Sequence, residues 1–110
     1  MKTLEKDNSI DGFRALGDPI RLAILVILET GTRCVCDIQS SLSDVAPNLL
    51  SHHLRVLREA GLVQVERRGR WMDYRLDLTG LERLRQTIPS LKVNTDSQAF
   101  NASSCITDVA

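Results

Sequence analysis

The sequence predicts a mostly α-helical domain carrying a β-hairpin wing, the winged helix-turn-helix class. Three observations predict it. Helical stretches at about 33–42 and 47–60 are joined by four turn residues, "SDVA" at 43–46, the spacing of a helix-turn-helix. The segment 62–78, "LVQVERRGRWMDYRLDL", then alternates as two strands through Val63, Val65, Trp71, Tyr74 and Leu76, with Arg68-Gly69 as the turn. A chain of 110 residues has room for one domain and one modest core.

The other elements follow from local signals. Residues 9–17, "SIDGFRALG", place Ile10, Phe13 and Leu16 on one helical stripe. Asp18-Pro19 reads as an N-cap followed by proline at the first helical position. The helix 19–30 is apolar on nearly every side, which predicts the central buried helix. Gly31 closes it, and Thr32 is placed to cap the helix 33–42. Pro47 starts the next helix and Gly61 ends it. A last helix, 81–88, carries Leu81, Leu84 and Ile88 on one face before Pro89 stops it. Residues 1–90 are expected to form the domain. Residues 91–110, rich in Ser, Asn, Asp and Thr and containing Cys105, are expected to form a flexible tail.

Composition narrows the function. Apolar residues make up 43% and charged residues 25%, as in an ordinary globular chain. The longest apolar run, "AILVIL" at 23–28, is far below the roughly 20 residues a bilayer requires. No signal peptide opens the chain, so a cytoplasmic location and no membrane partner are expected. Three cysteines in a reducing compartment point to metal binding or thiol chemistry rather than a disulfide framework. No enzyme is expected: there is no nucleophile–base pairing, no phosphate-binding glycine loop and no acid pair. Net charge is zero, but six arginines and three acids fall between Ala46 and Leu76, leaving that stretch at +3 and the rest at −3. Local basicity of this kind is what a docking polyanion requires.

On the helix 47–60, Leu50, Leu54 and Leu57 share an inward stripe. Asn48, Ser51, His52 and Arg55, at i, i+3, i+4 and i+7, share another face. Those side chains suit base edges and phosphates in a major groove. A solvated polar face would look the same on the wheel alone. The hairpin adds to the DNA reading: Arg67, Arg68 and Arg70 surround its glycine turn, where they can grip the DNA backbone or enter the minor groove, and the two signals together favour a winged-helix DNA binder. His52 and His53 point about 100° apart on a helix, so one is expected to face DNA and the other to pack. Trp71 and Tyr74 are expected to pack in the hairpin and core.

The stretches "ALGDPIRLAILVIL" (15–28), "LLSHHLRVLREAGLV" (49–63) and "RRGRWMDYRL" (67–76) resemble the ArsR/SmtB family of metal-sensing repressors, over about residues 10–88. The resemblance implies a homodimer on double-stranded operator DNA, released when an inducer binds. It also implies a dimer interface from the first and last helices, with the stripes Ile10/Phe13/Leu16 and Leu81/Leu84/Ile88. Many members carry Ser-Gln where this chain has Ala46-Pro47, so the operator sequence is not carried over.

"CVCD" at 34–37 resembles the thiolate site of the arsenite- and cadmium-sensing branches. The arsenite pattern adds a third cysteine where this chain has Gln39. The cadmium pattern takes cysteines from the N-terminal arm, which has none here. "LERLRQTI" lacks the histidine of a zinc-type site. The expected ligands are Cys34, Cys36 and Cys105. No resident cofactor is required, and the expected inducer is As(III) or Sb(III), with Cd(II) and Pb(II) as thiophilic alternatives. In a regular helix residues i and i+2 do not face each other, so joint capture by Cys34 and Cys36 is expected to open the first helical turn. Arg33 and the helix N-terminus would ease capture if they lowered the thiol pKa. Three other readings stand beside this one: cysteines as small core residues, a redox or sulfide sensor pairing Cys105 with Cys34 or Cys36, and an interaction module that does not bind DNA.

Overall fold

The structure, a computed structural model, describes residues 9–89; the tail 91–110, with Cys105, lies outside them. The elements are α1 (Ser9–Leu16), α2 (Pro19–Glu29), β1 (Arg33–Cys34), α3 (Val35–Ser41), α4 (Pro47–Glu59), β2 (Val63–Arg68), β3 (Trp71–Leu76) and α5 (Leu78–Thr87). The core joins Ile24 and Leu28 of α2, Ile38 of α3 and Leu50, Leu54 and Leu57 of α4 with Leu62, Val63, Tyr74 and Leu84.

Asp18 opens α2 as the sequence predicts. Its carboxylate accepts from the N–H groups of Ile20 (2.8 Å) and Arg21 (3.1 Å), with Pro19 following in the first turn. Burial works to raise this carboxyl, but the Arg21 and Ile20 amides, His53 and the Arg21 cation together hold it below its ordinary range. Gly31 and Gly61 stand past α2 and α4 with φ of 136° and 79°. The expectation that α2 is buried all round is corrected. Ile24 and Leu28 are buried, while Leu22 is 47% and Val26 62% exposed, because no other element among the described residues covers that side.

The largest correction concerns 33–42. Arg33 and Cys34 are extended, not helical, and pair antiparallel with β3 as Arg33↔Tyr74 and Cys34↔Asp73. The sheet therefore has three strands, ordered β1-β3-β2, rather than two. Ladder hydrogen bonds to β3 outweigh the local helical preference, and α3 begins only at Val35, with Cys34 rather than Thr32 as N-cap. The wing turn is Gly69-Arg70, one residue later than expected. Only its first residue has positive φ (Gly69, 61°), as a II′ hairpin requires.

The β2–β3 register explains another difference. Val63, Val65, Met72, Tyr74 and Leu76 lie on the core face, and Glu66, Arg68, Trp71, Asp73 and Arg75 on the outer one. Tyr74 packs in the core as expected, but Trp71 is 48% exposed. The last helix starts at Leu78, three residues early, because Asp77 caps it by accepting from the Gly80 N–H at 3.0 Å. Leu84 is buried, and a side chain on Gly12 would meet it, so its stripe closes α5 onto α1 within one chain. Ile10, Leu78 and Ile88 remain exposed.

Arg21 ties these helices together. Its Nε donates to the Ala15 carbonyl (2.6 Å) at the end of α1, and a terminal nitrogen lies 3.0 Å from Nδ1 of His53 on α4. Arginine only donates, so Nδ1 accepts and the imidazole proton sits on Nε2, 4.0 Å from Asp18. His53 is 5% exposed. Burial pushes this imidazole below its ordinary range; Asp18 draws it back up, and Arg21 and His52 push it down.

Two predictions follow from the packing. The folded protein binds the His53 proton less readily than the unfolded chain, whose value is about 6.5. Stability present above that value is therefore lost as pH falls below it toward the depressed folded value. Urea midpoints measured between about pH 7.5 and about pH 5 should drop, and His53→Gln should flatten the drop; equal drops in both proteins would place the titration elsewhere. Separately, a side chain on Gly80 would run into the Gly61 carbonyl oxygen. Gly80→Ala should destabilise by about 1–3 kcal/mol despite alanine's better helix propensity, seen as a lower thermal midpoint.

Candidate nucleic-acid interface and thiol pair

Helix α4 presents the two faces that its sequence predicts. Leu50, Leu54 and Leu57 are buried, while Asn48, Ser51, His52 and Arg55 are all exposed on the opposite side. The two histidines divide as expected, with His52 outward and His53 in the Arg21 junction. Ala46 is the N-cap and offers no capping side chain, and Pro47 follows it. The first amides of α4 therefore have no side-chain cap, an arrangement that suits a phosphate oxygen.

The wing supplies cations with unequal freedom. Arg70 is exposed at the tip and, like Arg55, makes no ion pair among the described residues. Arg67 donates to the Gly69 carbonyl at 3.2 Å and braces the turn. Arg68 is engaged: Nε and Nη2 reach the two Asp73 oxygens at 2.7 and 3.2 Å. This guanidinium holds the Asp73 carboxyl below the usual carboxylate range, and Asp73 in turn raises Arg68. Arg75 pairs with Glu66 at 3.3 Å. Glu66 and Asp73 lie directly opposite on the outer face, a like-charge pair that would repel. The two diagonal arginines neutralise it.

Cys34 and Cys36 sit at the other edge of this sheet. Cys34 is half-buried and Cys36 exposed, so neither is a core filler. Cys34 precedes the helix, with φ −79° and ψ 164°, and its thiol is near enough to Cys36 to act on it electrostatically. The premise that both cysteines stand within a regular helix is thereby corrected: only Cys36 does. The condition for easier capture is not met at Cys36. Partial loss of water around the sulfur pushes the Cys36 thiol up, and Cys34 and Asp37 add to it. Arg33 is turned away, donating to Thr32 O and Thr30 Oγ1 at 2.9 and 2.8 Å.

Gln39, at the position of the third thiol in the arsenite pattern, is committed to the turn. Its Nε2 donates to Val45 O at 2.7 Å and to Leu42 O at 3.3 Å. Among the described residues no group of three His, Cys, Asp or Glu is placed to hold a metal ion. Within residues 9–89 no third such side chain stands with the two thiols. The residue that sequence reasoning missed is Asp73, which stands between the thiol pair and the wing arginines; no local signal marks the β1–β3 pairing that puts it there.

Comparison with known proteins bears on this geometry. The family described as bacterial regulatory protein, arsR family, matches residues 18–65. An uncharacterized HTH-type transcriptional regulator of Methanocaldococcus jannaschii is 44% identical over 75 residues, covering 67% of this chain and 81% of that one. The arsenical resistance operon repressor of Escherichia coli is 43% identical over 65 residues, 58% of this chain and 55% of its own, so the chain spans little more than half of that relative. A solved structure described as a possible transcriptional regulator for arsenical resistance superposes with TM-score 0.69 at 30% identity, covering 91% of this chain and 96% of the other. The homodimeric winged helix-turn-helix DNA-binding domain of a Mycobacterium bovis regulator gives TM-score 0.66 at 26% identity, over 78% of this chain and 80% of its own. Among the described residues no helix is long and apolar enough to cross a membrane. A recognition-type helix, an arginine wing and this similarity converge on one conclusion: the chain belongs to the arsR family of bacterial regulatory proteins and is a DNA-binding winged helix-turn-helix transcriptional repressor.

Proposed function

We propose that this repressor leaves its operator when Cys34 and Cys36 capture a thiophilic metalloid, As(III) foremost and Sb(III) by the same chemistry. The carrying observation is the pair of neighbouring free thiols, Cys34 half-buried and Cys36 exposed, at the edge of the sheet that bears the wing. Arsenous acid condenses with two thiols: two S–H and two As–OH bonds become two S–As bonds and two released waters. No charge is left on the site, whereas Cd(II) or Pb(II) has to expel both thiol protons. As(III) can take three sulfurs, and Cys105 is the remaining thiol of the chain.

In this reading the repressor works in the cytoplasm as a homodimer. The exposed Ile10, Leu78 and Ile88 supply apolar surface for the second copy, and the homodimeric M. bovis neighbour supports it. Asn48, Ser51, His52 and Arg55 face the major groove, and Arg67, Arg68 and Arg70 the flanking backbone.

Fluorescence anisotropy of the reduced protein on DNA from upstream of its own gene tests the reading. Arsenite should weaken binding by about 5- to 150-fold. Cys34→Ser with Cys36→Ser should abolish that response and leave binding without arsenite intact. Release that weakens in Cys105→Ser assigns a three-thiol site, and release that survives it a two-thiol site. A full arsenite response in the double serine variant would sink the proposal, and stronger release by cadmium would move the inducer to the divalent alternatives.

A further inference from the structure

Cys34 has two structural neighbours. Along the chain it leads into α3 and so toward α4. Across the sheet it pairs with Asp73 of β3. Residues directly opposite in an antiparallel pair project to the same face, so Cys34 and Asp73 stand side by side on the outer surface. Asp73 is also opposite Glu66 of β2, and its carboxylate is gripped by both ends of the Arg68 guanidinium at 2.7 and 3.2 Å. The Asp73 side chain is only 16% exposed, against 65% for Arg68. The Arg68 cation lies within electrostatic reach of the Cys34 sulfur as well. A two-pronged pair of this kind has the geometry that separates an effective surface ion pair from the ordinary weak one.

We propose that capture at the thiol pair is relayed to the wing through the β1–β3 ladder, with the Arg68–Asp73 ion pair as the link that carries a change at β1 into β2. This rests on the reading of Cys34 and Cys36 as the capture site. Capture fixes the Cys34 sulfur at bonding distance to a shared atom, which alters the end of β1. Asp73 is the nearest partner across the ladder, and its hold on Arg68 passes the shift to the strand that carries the wing arginines. Asp73 and Arg68 act here as positioning residues. Arg68 thereby has two roles, a cation for DNA and the far end of the link, and the test must separate them.

Hydrogen exchange without DNA does so. The probe is phenylarsine oxide, which takes two thiols (its As=O oxygen leaves as water with both thiol protons as two S–As bonds form) and needs no third. It is added to the full-length chain carrying Cys105→Ser, with the adduct confirmed by mass and by its absence in Cys34→Ser. The expected result is altered deuterium uptake in 64–70, beyond β3, in the parent protein. That response should be lost in Asp73→Asn and in Arg68→Met, while the response of 35–41 persists. On DNA, Asp73→Asn should keep operator binding but shrink the arsenite-induced change in affinity by about 3- to 30-fold. Changes confined to 33–60 in the parent, or an unchanged 64–70 response in both variants, would overturn the relay. Failure to form the adduct sinks capture itself, and the relay with it. An intact exchange response alongside operator binding that ignores arsenite would instead overturn the proposed inducer and leave the relay standing.

Discussion

The Arg21 guanidinium is the constraint on which the geometry of this domain rests. It occupies the junction where the end of α1, the start of α2 and the middle of α4 converge, donating to a carbonyl of α1 and to the imidazole of α4. Asp18, three residues earlier, caps α2 and faces the same imidazole. These two side chains thus satisfy a helix start and a helix end, and fix the rotation of α4 about its axis. Without that fixed rotation the split of the helix into a leucine face and a face of Asn48, Ser51, His52 and Arg55 would have no orientation relative to the wing. The buried polar cluster is fully partnered: no buried side-chain nitrogen or oxygen among the described residues lacks a hydrogen bond.

The sheet divides the remaining labour. Its inner face packs Val63, Val65, Tyr74 and Leu76 against the helices, and its outer face carries only polar, thiol and exposed aromatic groups. The short strand β1 gives the domain a thiol pair at the edge of the surface that bears the wing. Gln39 keeps α3 and α4 in register across their turn by binding two turn carbonyls. Residues 33–36 adjoin both α3, which leads on to α4, and β3, which leads back to the wing.

Much of this was legible in the sequence. The Asp18-Pro19 start, the leucine stripe of α4, the division of His52 from His53 and the glycine wing all rest on local rules of capping, periodicity and turn chemistry. What was not legible depends on pairing across long sequence separations. Nothing within "RCVCDIQ" announces that Arg33 and Cys34 will join a strand forty residues away, so the segment reads as the start of a helix, and the thiols read as facing apart. Asp73 escaped notice for the same reason, since its significance comes entirely from its neighbours in β1 and β2. Trp71 is different: the alternation along "WMDYRL" already placed it opposite Tyr74 in facing, and a strict period of two would have put it outside. The exposed side of α2 was misread because an apolar pattern records what is able to be buried, not what the chain has available to cover it.

The separation of the two sheet faces has a consequence for how such a protein changes over time. Side chains at 34 and 36 stand outside the buried core, so substitutions there are expected to cost the fold little. In the proposed reading, capture and packing are thus served by different sides of the sheet and its adjoining helix turn. If the outer side holds the ligating atoms as proposed, they can be exchanged while the inner side stays fixed. The domain then acts as a chassis on which new responses arise by few mutations, without passing through unfolded intermediates.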